Sequence, residues 1–150
     1  MLSLPARFET IGSLRAEASV VVRPEVAGKI VTIHFQEGQR VDNGAPLFSL
    51  DPALAQAALN EANANLENSH RAFGRASELA NRQLIAHADL DTSKANLGVD
   101  QARAGSARTM LDKTRNNAPF AGVVGLREAG VGDDGTDGAA VGNLVRLAPV

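Results

Sequence analysis

The chain has no cysteine, no tryptophan and no tyrosine, and its only aromatic side chains are five phenylalanines. Without cysteine, neither a disulfide nor a thiolate metal site can hold the fold together. So few aromatic side chains argue against a large packed core and against a surface on which nucleic-acid bases stack. An excess of one charge is also missing, since 15 Lys and Arg stand against 17 Asp and Glu. This balance argues against nucleic acid as a partner.

Long apolar runs and internal prolines are missing as well. No apolar run approaches the roughly 20 residues that span a bilayer, and residues 1–5 lack the basic and long apolar regions of a signal peptide. No proline occurs between Pro52 and Pro119. Most of this proline-free stretch is rich in Ala, Asn, Gln, Glu and Arg, which is typical of long helices.

Two sets of apolar or small residues recur in this stretch at alternating steps of three and four, the heptad pattern of paired helices. The first set is Leu59, Ala62, Leu66, Ser69, Phe73, Ala76 and Ala80, and the second is Leu90, Ser93, Leu97, Asp100, Ala104, Ala107 and Leu111. The intervening residues 83–89 leave room only for a tight reversal. The pattern predicts an antiparallel coiled-coil hairpin over residues 52–116, about 45 Å long if each helix has roughly 30 residues.

On both sides of the hairpin, short Val- and Ile-rich segments alternate with glycines, which is typical of strands and turns. The two sides repeat each other without gaps at one constant offset. The turn glycines correspond in pairs: Gly28 with Gly122, Gly38 with Gly132, and Gly44 with Gly138. Each is predicted to lie where the backbone turns with positive φ or approaches a neighbour closely. The sequence therefore predicts an α+β protein in which residues 23–51 and 117–147 form one small β-sandwich, interrupted by the hairpin.

Two halves of this kind resemble the biotinyl/lipoyl carrier domain, in which a lysine on the turn between the halves carries the cofactor. Here that junction is Leu50-Asp51-Pro52, and the three lysines of the chain lie elsewhere, at Lys29, Lys94 and Lys113. We therefore expect no cofactor.

A lipoyl-like domain split by a helical hairpin is similar instead to the periplasmic adaptors, or membrane fusion proteins, of tripartite efflux pumps and type I secretion systems. The segments that carry this resemblance are 26–30, 37–41 and 118–125. The hairpin length is similar to that of adaptors of the resistance-nodulation-division class.

The resemblance implies a subunit without enzymatic activity that links an inner-membrane transporter to an outer-membrane channel. Such a subunit would be periplasmic, would assemble as a homo-oligomeric ring, and would be anchored to the inner membrane by parts outside this chain. It also implies that residues 1–22 are strands leading from a β-barrel that the chain lacks.

In that family the hairpin tip meets the outer-membrane channel through an Arg, a Leu four residues later and a Ser seven further on. The resemblance places the channel contact at Arg75, Leu79, Arg82, Ile85 and Ala86. Ala86 departs from the pattern, because a Ser there would cap the second helix and its loss costs about 1 kcal/mol. Either the cap shifts to His87 or the tip frays and becomes ordered on docking.

A purely structural interpretation stays open for the tip, with Arg75 as a solvated side chain and Leu79 as part of the seam. Gly74, Gly98 and Gly105 fall one step after a seam residue, so they are predicted to face outward. They either allow neighbouring hairpins to pack closely or are tolerated without a function.

No metal site is expected. The histidines His34, His70 and His87 are far apart in the sequence, so they are not expected to share a metal ion. The acidic residues around Asp133 and Asp134 fit turn chemistry better than a calcium loop. The remaining alternatives for function are a type I secretion adaptor that exports a protein or polysaccharide, and a biotinyl/lipoyl carrier domain.

Overall fold

The computed structural model describes residues 16–135 and 141–147. Within these ranges the chain forms eight strands and two helices. In chain order they are β1 (Ala16–Val22), β2 (Gly28–Ile33), β3 (Arg40–Val41), β4 (Pro46–Leu50), α1 (Ala53–Asn81), α2 (His87–Asp112), β5 (Arg115–Asn117), β6 (Gly122–Val124), β7 (Asp134–Gly135) and β8 (Gly142–Leu147). The helices form one compact unit, Pro52–Asp112, and the strands form another.

The strands form two antiparallel four-stranded sheets, in the orders β1-β8-β6-β3 and β5-β4-β2-β7. Each sheet mixes strands from before and after the hairpin. In the first sheet Val41 of β3 lies opposite Gly122 of β6. In the second, Gly28 of β2 lies opposite Gly135 of β7. Val41 and Gly135 are equivalent positions of the repeat, 94 residues apart, and so are Gly28 and Gly122. The two pairings are therefore equivalent, with the roles of the two halves exchanged.

The hydrogen bonds outside the strands follow the same exchange. The Gly38 N–H donates to the Val124 carbonyl at 2.8 Å, and the Gly132 N–H donates to the Ile30 carbonyl at 2.8 Å. Both donors and both acceptors are related by the repeat offset. The two halves are therefore interleaved about a pseudo-two-fold axis, and neither can complete its own hydrogen bonding alone.

The core of the β unit is small and consists mainly of aliphatic side chains, as the scarcity of aromatic residues predicts. Its most deeply buried residues include repeat-related pairs from both halves, and each such side chain stabilises the fold by about 1.5–3 kcal/mol. These pairs are Ile30 with Val124, Leu47 with Val141, and Leu50 with Leu144. Phe48 is also fully buried.

Two boundaries differ from the sequence prediction. The sequence prediction places Arg115 and Asn116 in the hairpin, but together with Asn117 they form β5, in which Asn116 lies opposite Phe48. The last helix ends at Asp112 because the chain must reach the open edge of β4, and the Leu50 N–H donates to the Thr114 carbonyl at 2.7 Å. Ala16–Val22, assigned to strands outside the sandwich, forms β1 and pairs with β8. The rest of the predicted segment, residues 1–15, lies outside the described residues.

The hairpin packs through the predicted seam. On α2 the seven seam positions are buried or half-buried, and every other residue of the helix is exposed. On α1 all seven seam positions are likewise shielded from solvent, with Leu59 the most buried. The predicted heptad seam is confirmed, and at 1.5 Å per residue the helices are about 43 and 39 Å long.

A polar pair crosses this seam. The Ser69 hydroxyl of α1 donates a hydrogen bond to the Asp100 carboxylate of α2, and both side chains are partly buried. A slip of one helix past the other by one helical turn would separate the two side chains and break this hydrogen bond. A polar contact of this kind in a mostly apolar seam specifies helix register.

We expect Ser69→Ala to lower the free energy of unfolding of the hairpin by about 1–2 kcal/mol, because the Asp100 carboxylate loses its partner within the seam. The measurement is denaturant unfolding followed by helical circular dichroism. Ser106→Ala, on the exposed face of α2, is the matched control and should change stability by less than about 0.5 kcal/mol. An equal loss in both variants would contradict a role for the pair.

Two glycine-to-alanine changes should have opposite effects on stability. In Gly122→Ala the new Cβ would lie 2.2 Å from the backbone oxygen of Val145, so strands β6 and β8 must separate. We expect a loss of at least about 2 kcal/mol. In Gly98→Ala the Cβ meets open space on a helix, and a gain of about 1 kcal/mol is expected. Thermal unfolding of both variants beside the parent checks the two signs.

Candidate docking site at the hairpin tip

The turn between the helices is closed by backbone hydrogen bonds at the end of α1. The Gln83 N–H donates to the Ala80 carbonyl at 2.9 Å, and the Leu84 N–H donates to the Leu79 carbonyl at 2.8 Å. This is a Schellman motif, which requires a left-handed residue after the helix. Gln83 supplies it with φ of 60°. Because a glycine is usual there, the turn carries roughly 1 kcal/mol of backbone strain.

The second helix begins without a side-chain cap. The Ala86 carbonyl accepts from the N–H of Asp89 at 3.0 Å and of Leu90 at 3.4 Å, so Ala86 occupies the N-cap position. Its methyl group cannot accept a hydrogen bond, and the cap does not shift to His87. Asp89 lies in the first turn of α2, where the helix dipole favours a negative charge.

The predicted contact residues lie together at this end of the hairpin. Arg75, Leu79 and Arg82 follow one another at steps of four and three, which places them on one face at the end of α1. Leu79 is 37% exposed. In the turn itself Ile85 is half-buried and Ala86 is exposed.

Sequence reasoning missed Leu84 as a member of this surface. Its side chain is 63% exposed, next to the strained Gln83 in the Schellman turn. The sequence does contain a signal for it, because Leu84 is an apolar residue just beyond the end of the heptad pattern. Its N–H closes the Schellman motif. With Leu79, it makes the tip an exposed apolar surface.

Arg75 differs from the other arginines near the tip. Arg82 pairs with Glu78 at 3.2 Å, and Arg71 pairs with Glu67 at 3.4 Å, both as exposed pairs four residues apart. Four residues before Arg75 stands Arg71 rather than a carboxylate. Among the described residues, Arg75 has no ion pair, so its guanidinium is available to an external acceptor.

The turn glycines of the β unit occupy several kinds of position. Three have positive φ, one approaches a neighbouring strand, and one lies against a core side chain. They are Gly38, Gly44 and Gly132 with φ of 79°, 84° and 92°, Gly122 beside the Val145 carbonyl, and Gly28, whose added Cβ would lie 3.3 Å from that of Leu50. Gly138 lies outside the described residues.

The described ranges contain no candidate metal centre. Within residues 16–135 and 141–147 no group of three or more His, Cys, Asp or Glu side chains is placed to hold a metal ion. Among the described residues, the Ser49 hydroxyl and the His34 imidazole form a hydrogen bond of 3.3 Å that is exposed to solvent. Neither described helix combines the length and apolar character needed to cross a bilayer.

This architecture matches that of a known protein family. Residues 18–147 match the family model of the barrel-sandwich hybrid domain of RND membrane fusion proteins. The chain belongs to this family. The resemblance inferred from the split repeat is thereby confirmed.

Relatives within the family include the multidrug resistance protein MdtA. MdtA of Salmonella typhimurium is 33% identical over 164 aligned residues, which cover 99% of this chain and 40% of that protein. MdtA of Escherichia coli K12 is 33% identical, with 95% and 38% covered. The chain thus spans about two-fifths of the length of these curated relatives.

Solved structures show the same fold. A putative efflux transporter from Bacteroides eggerthii superposes with a TM-score of 0.84 at 24% identity, covering 89% of this chain and 41% of that one. A MacA–MexA chimera that contains the Pseudomonas aeruginosa MexA α-hairpin also scores 0.84 at 24% identity, covering 89% and 50%.

We expect Ala86→Ser to stabilise the start of α2 by about 1 kcal/mol, since the hydroxyl can accept from the Asp89 N–H and complete a capping box with its carboxylate. Hydrogen exchange of the Asp89 and Leu90 amides should slow about five-fold. Ala88→Ser, inside the first turn, is the matched control and should not slow it. Unchanged exchange in Ala86→Ser would show that the tip does not adopt this capped geometry.

Proposed function

We propose that this chain is part of a periplasmic adaptor that links an inner-membrane transporter to an outer-membrane channel in a tripartite efflux pump. The observation that carries the proposal is the family match over residues 18–147, combined with a helical hairpin inserted between two interleaved half-repeats. The relatives called MdtA are described as multidrug resistance proteins. The adaptor would act by binding and positioning its partners and would catalyse no reaction.

The RND branch of the family favours an efflux pump over a type I secretion adaptor. A carrier domain would need a lysine at the junction between the halves. At that junction Leu50 ends β4 and α1 starts at Ala53, whereas Lys29 lies in β2 and Lys94 lies in α2. The chemistry of a biotinyl or lipoyl carrier therefore has no residue to act on at that position.

The hairpin tip would dock to the channel. Arg75 is exposed and free of ion pairs among the described residues, so it can donate to carbonyl or carboxylate oxygens with its rigid fork of donors. Leu79 and Leu84 supply apolar side chains that helix-in-groove recognition requires. Arg82, Ile85 and Ala86 complete the surface in the same turn. A partner that ends in helices with acidic grooves between them would fit this chemistry.

We also propose roles for the two units of the chain and for their assembly. The β unit would act as a lipoyl-like domain, and residues 52–112 as the hairpin that reaches the channel. Several copies would form a ring. The longer protein would be anchored to the inner membrane from its periplasmic side and would contact the transporter through its other domains.

We expect Arg75→Glu or Leu79→Ser to abolish efflux in cells that depend on this protein, because the tip loses its donor or its apolar anchor. Binding to the channel should weaken by at least about 30-fold, the effect of losing a contact worth about 2 kcal/mol. Susceptibility to exported compounds and channel pull-down are the measurements.

Arg108→Glu, an equally exposed substitution near the other end of α2, is the matched control and should leave efflux unchanged. Thermal unfolding should be nearly the same in all three variants, since none of these side chains is buried. Retained export in both tip variants would refute docking through the tip.

A further inference from the structure

The turn between β3 and β4 carries the one Asn-Gly pair of the sequence, Asn43-Gly44. In such a pair the backbone nitrogen of the glycine can attack the side-chain amide carbon of the asparagine. Ammonia leaves, a five-membered succinimide ring forms, and water then opens the ring to aspartate or isoaspartate. Glycine favours this reaction because it has no Cβ to hinder the approach and restricts the backbone least. The sequence therefore contains one strong candidate site for deamidation.

The folded β unit restrains the attacking atom of this pair. The Asn43 side chain is exposed, so water reaches its amide, but the nucleophile is the backbone nitrogen of Gly44. The Gly44 N–H donates to the Ala118 carbonyl at 2.8 Å, and the Ala118 N–H donates to the Ala45 carbonyl at 2.8 Å. Ala118 is buried. The nitrogen that must lose its proton and attack Asn43 is therefore held against the other half of the repeat.

The shape of the turn also separates the reacting atoms. The Ala45 N–H donates to the Asp42 carbonyl at 3.1 Å, and φ is 84° at Gly44 but not positive at Asn43. This combination is a type II turn, in which ψ of the second residue, here Asn43, is about 120°. The succinimide ring requires the glycine nitrogen to eclipse the Asn43 Cβ, which occurs near the ψ of the mirror-image type II′ turn, about −120°. Ring closure therefore requires the turn to open.

We propose that Asn43 is a deamidation site that the folded β unit keeps closed. The reaction begins when the turn separates from Ala118. The Gly44 nitrogen then gives its proton to solvent, its electron pair forms the bond to the Asn43 Cγ, and the side-chain nitrogen takes up a proton and leaves as ammonia. Hydrolysis of the ring consumes one water molecule, so the net change replaces the amide with a carboxyl group. The closed site is independent of the proposed function.

The isoaspartate product does not fit this turn. Its backbone passes through the former side chain and is one carbon longer, so the hydrogen bonds of Gly44 and Ala45 with Ala118 cannot both keep their geometry. These bonds lie between the core residues Val41 and Leu47. A chain that is modified while the turn is open therefore closes again less tightly.

The test compares the folded chain in buffer with the same chain in guanidinium chloride, both at mildly alkaline pH. Peptide mapping by chromatography and mass spectrometry follows the loss of the Asn43 amide and separates aspartate from isoaspartate. We expect Asn43 to react at least about 30-fold more slowly in the folded chain, since only molecules with an open turn can react. Asn63 and Asn96 precede Ala and Leu, so they are internal controls that should react more slowly than Asn43 in denaturant.

A matched pair of variants checks that the second half closes the site. Gly122 lies opposite Val41, directly before the turn, so Gly122→Ala should raise the rate at Asn43 in buffer at least about five-fold. If this variant unfolds, its rate should equal that of the denatured chain. Gly98→Ala adds the same methyl group on α2, outside the β unit, and should leave the rate unchanged.

A second pair tests the product. Chains carrying isoaspartate at position 43 should refold and then unfold at a lower temperature than Asn43→Asp, which has the same charge and an unaltered backbone. Thermal unfolding of the separated fractions is the measurement. Equal melting temperatures would overturn the effect on the turn.

Equal rates at Asn43 in the folded and denatured chain would overturn the closed site. So would a rate in Gly122→Ala no higher than in the parent, or faster reaction at Asn63 than at Asn43 in denaturant. None of these measurements involves export or channel binding, so their failure would leave the proposed function untouched, and loss of that function would not alter these rates.

Discussion

The structure depends on the exchange of short strands between the two halves of the β unit. Strand β3 pairs with β6, and β2 pairs with β7, so each half completes a sheet that the other half begins. The deepest core residues come from both halves at equivalent positions, as Ile30 and Val124 illustrate. Neither half buries its apolar face or satisfies its backbone alone. The two segments therefore fold as one unit although more than sixty residues separate them in the chain.

This exchange explains how a long hairpin is tolerated at the midpoint of the domain. Its two ends are held by adjacent strands, because β4 and β5 pair and the Leu50 N–H reaches the Thr114 carbonyl. Closing a long insertion costs little extra entropy when its ends are already neighbours. Within the hairpin, the thin seam has few large side chains, and the Ser69–Asp100 hydrogen bond supplies the register that alanine contacts leave weakly specified.

The tip combines local backbone strain with exposed apolar and basic side chains. A left-handed Gln83 and an uncapped Ala86 both weaken the turn, while Leu84 and Arg75 remain exposed. Strain of this kind persists only where the surrounding structure supports it. Here the Schellman hydrogen bonds and the paired helices hold the turn, and the side chains of Leu84 and Arg75 lie exposed next to it.

Sequence alone determined the heptad seam, since a 3.5-residue period needs only the spacing of its apolar positions, and all of them, from Leu59 to Leu111, proved shielded. It also determined the repeat, because a constant offset is readable without coordinates. Only tertiary structure decided that residues 115–117 form a strand, because that depends on the open edge of β4 rather than on local propensity. Likewise, Asn116 of that strand lies opposite Phe48, and only folding brings together two segments so far apart in the sequence.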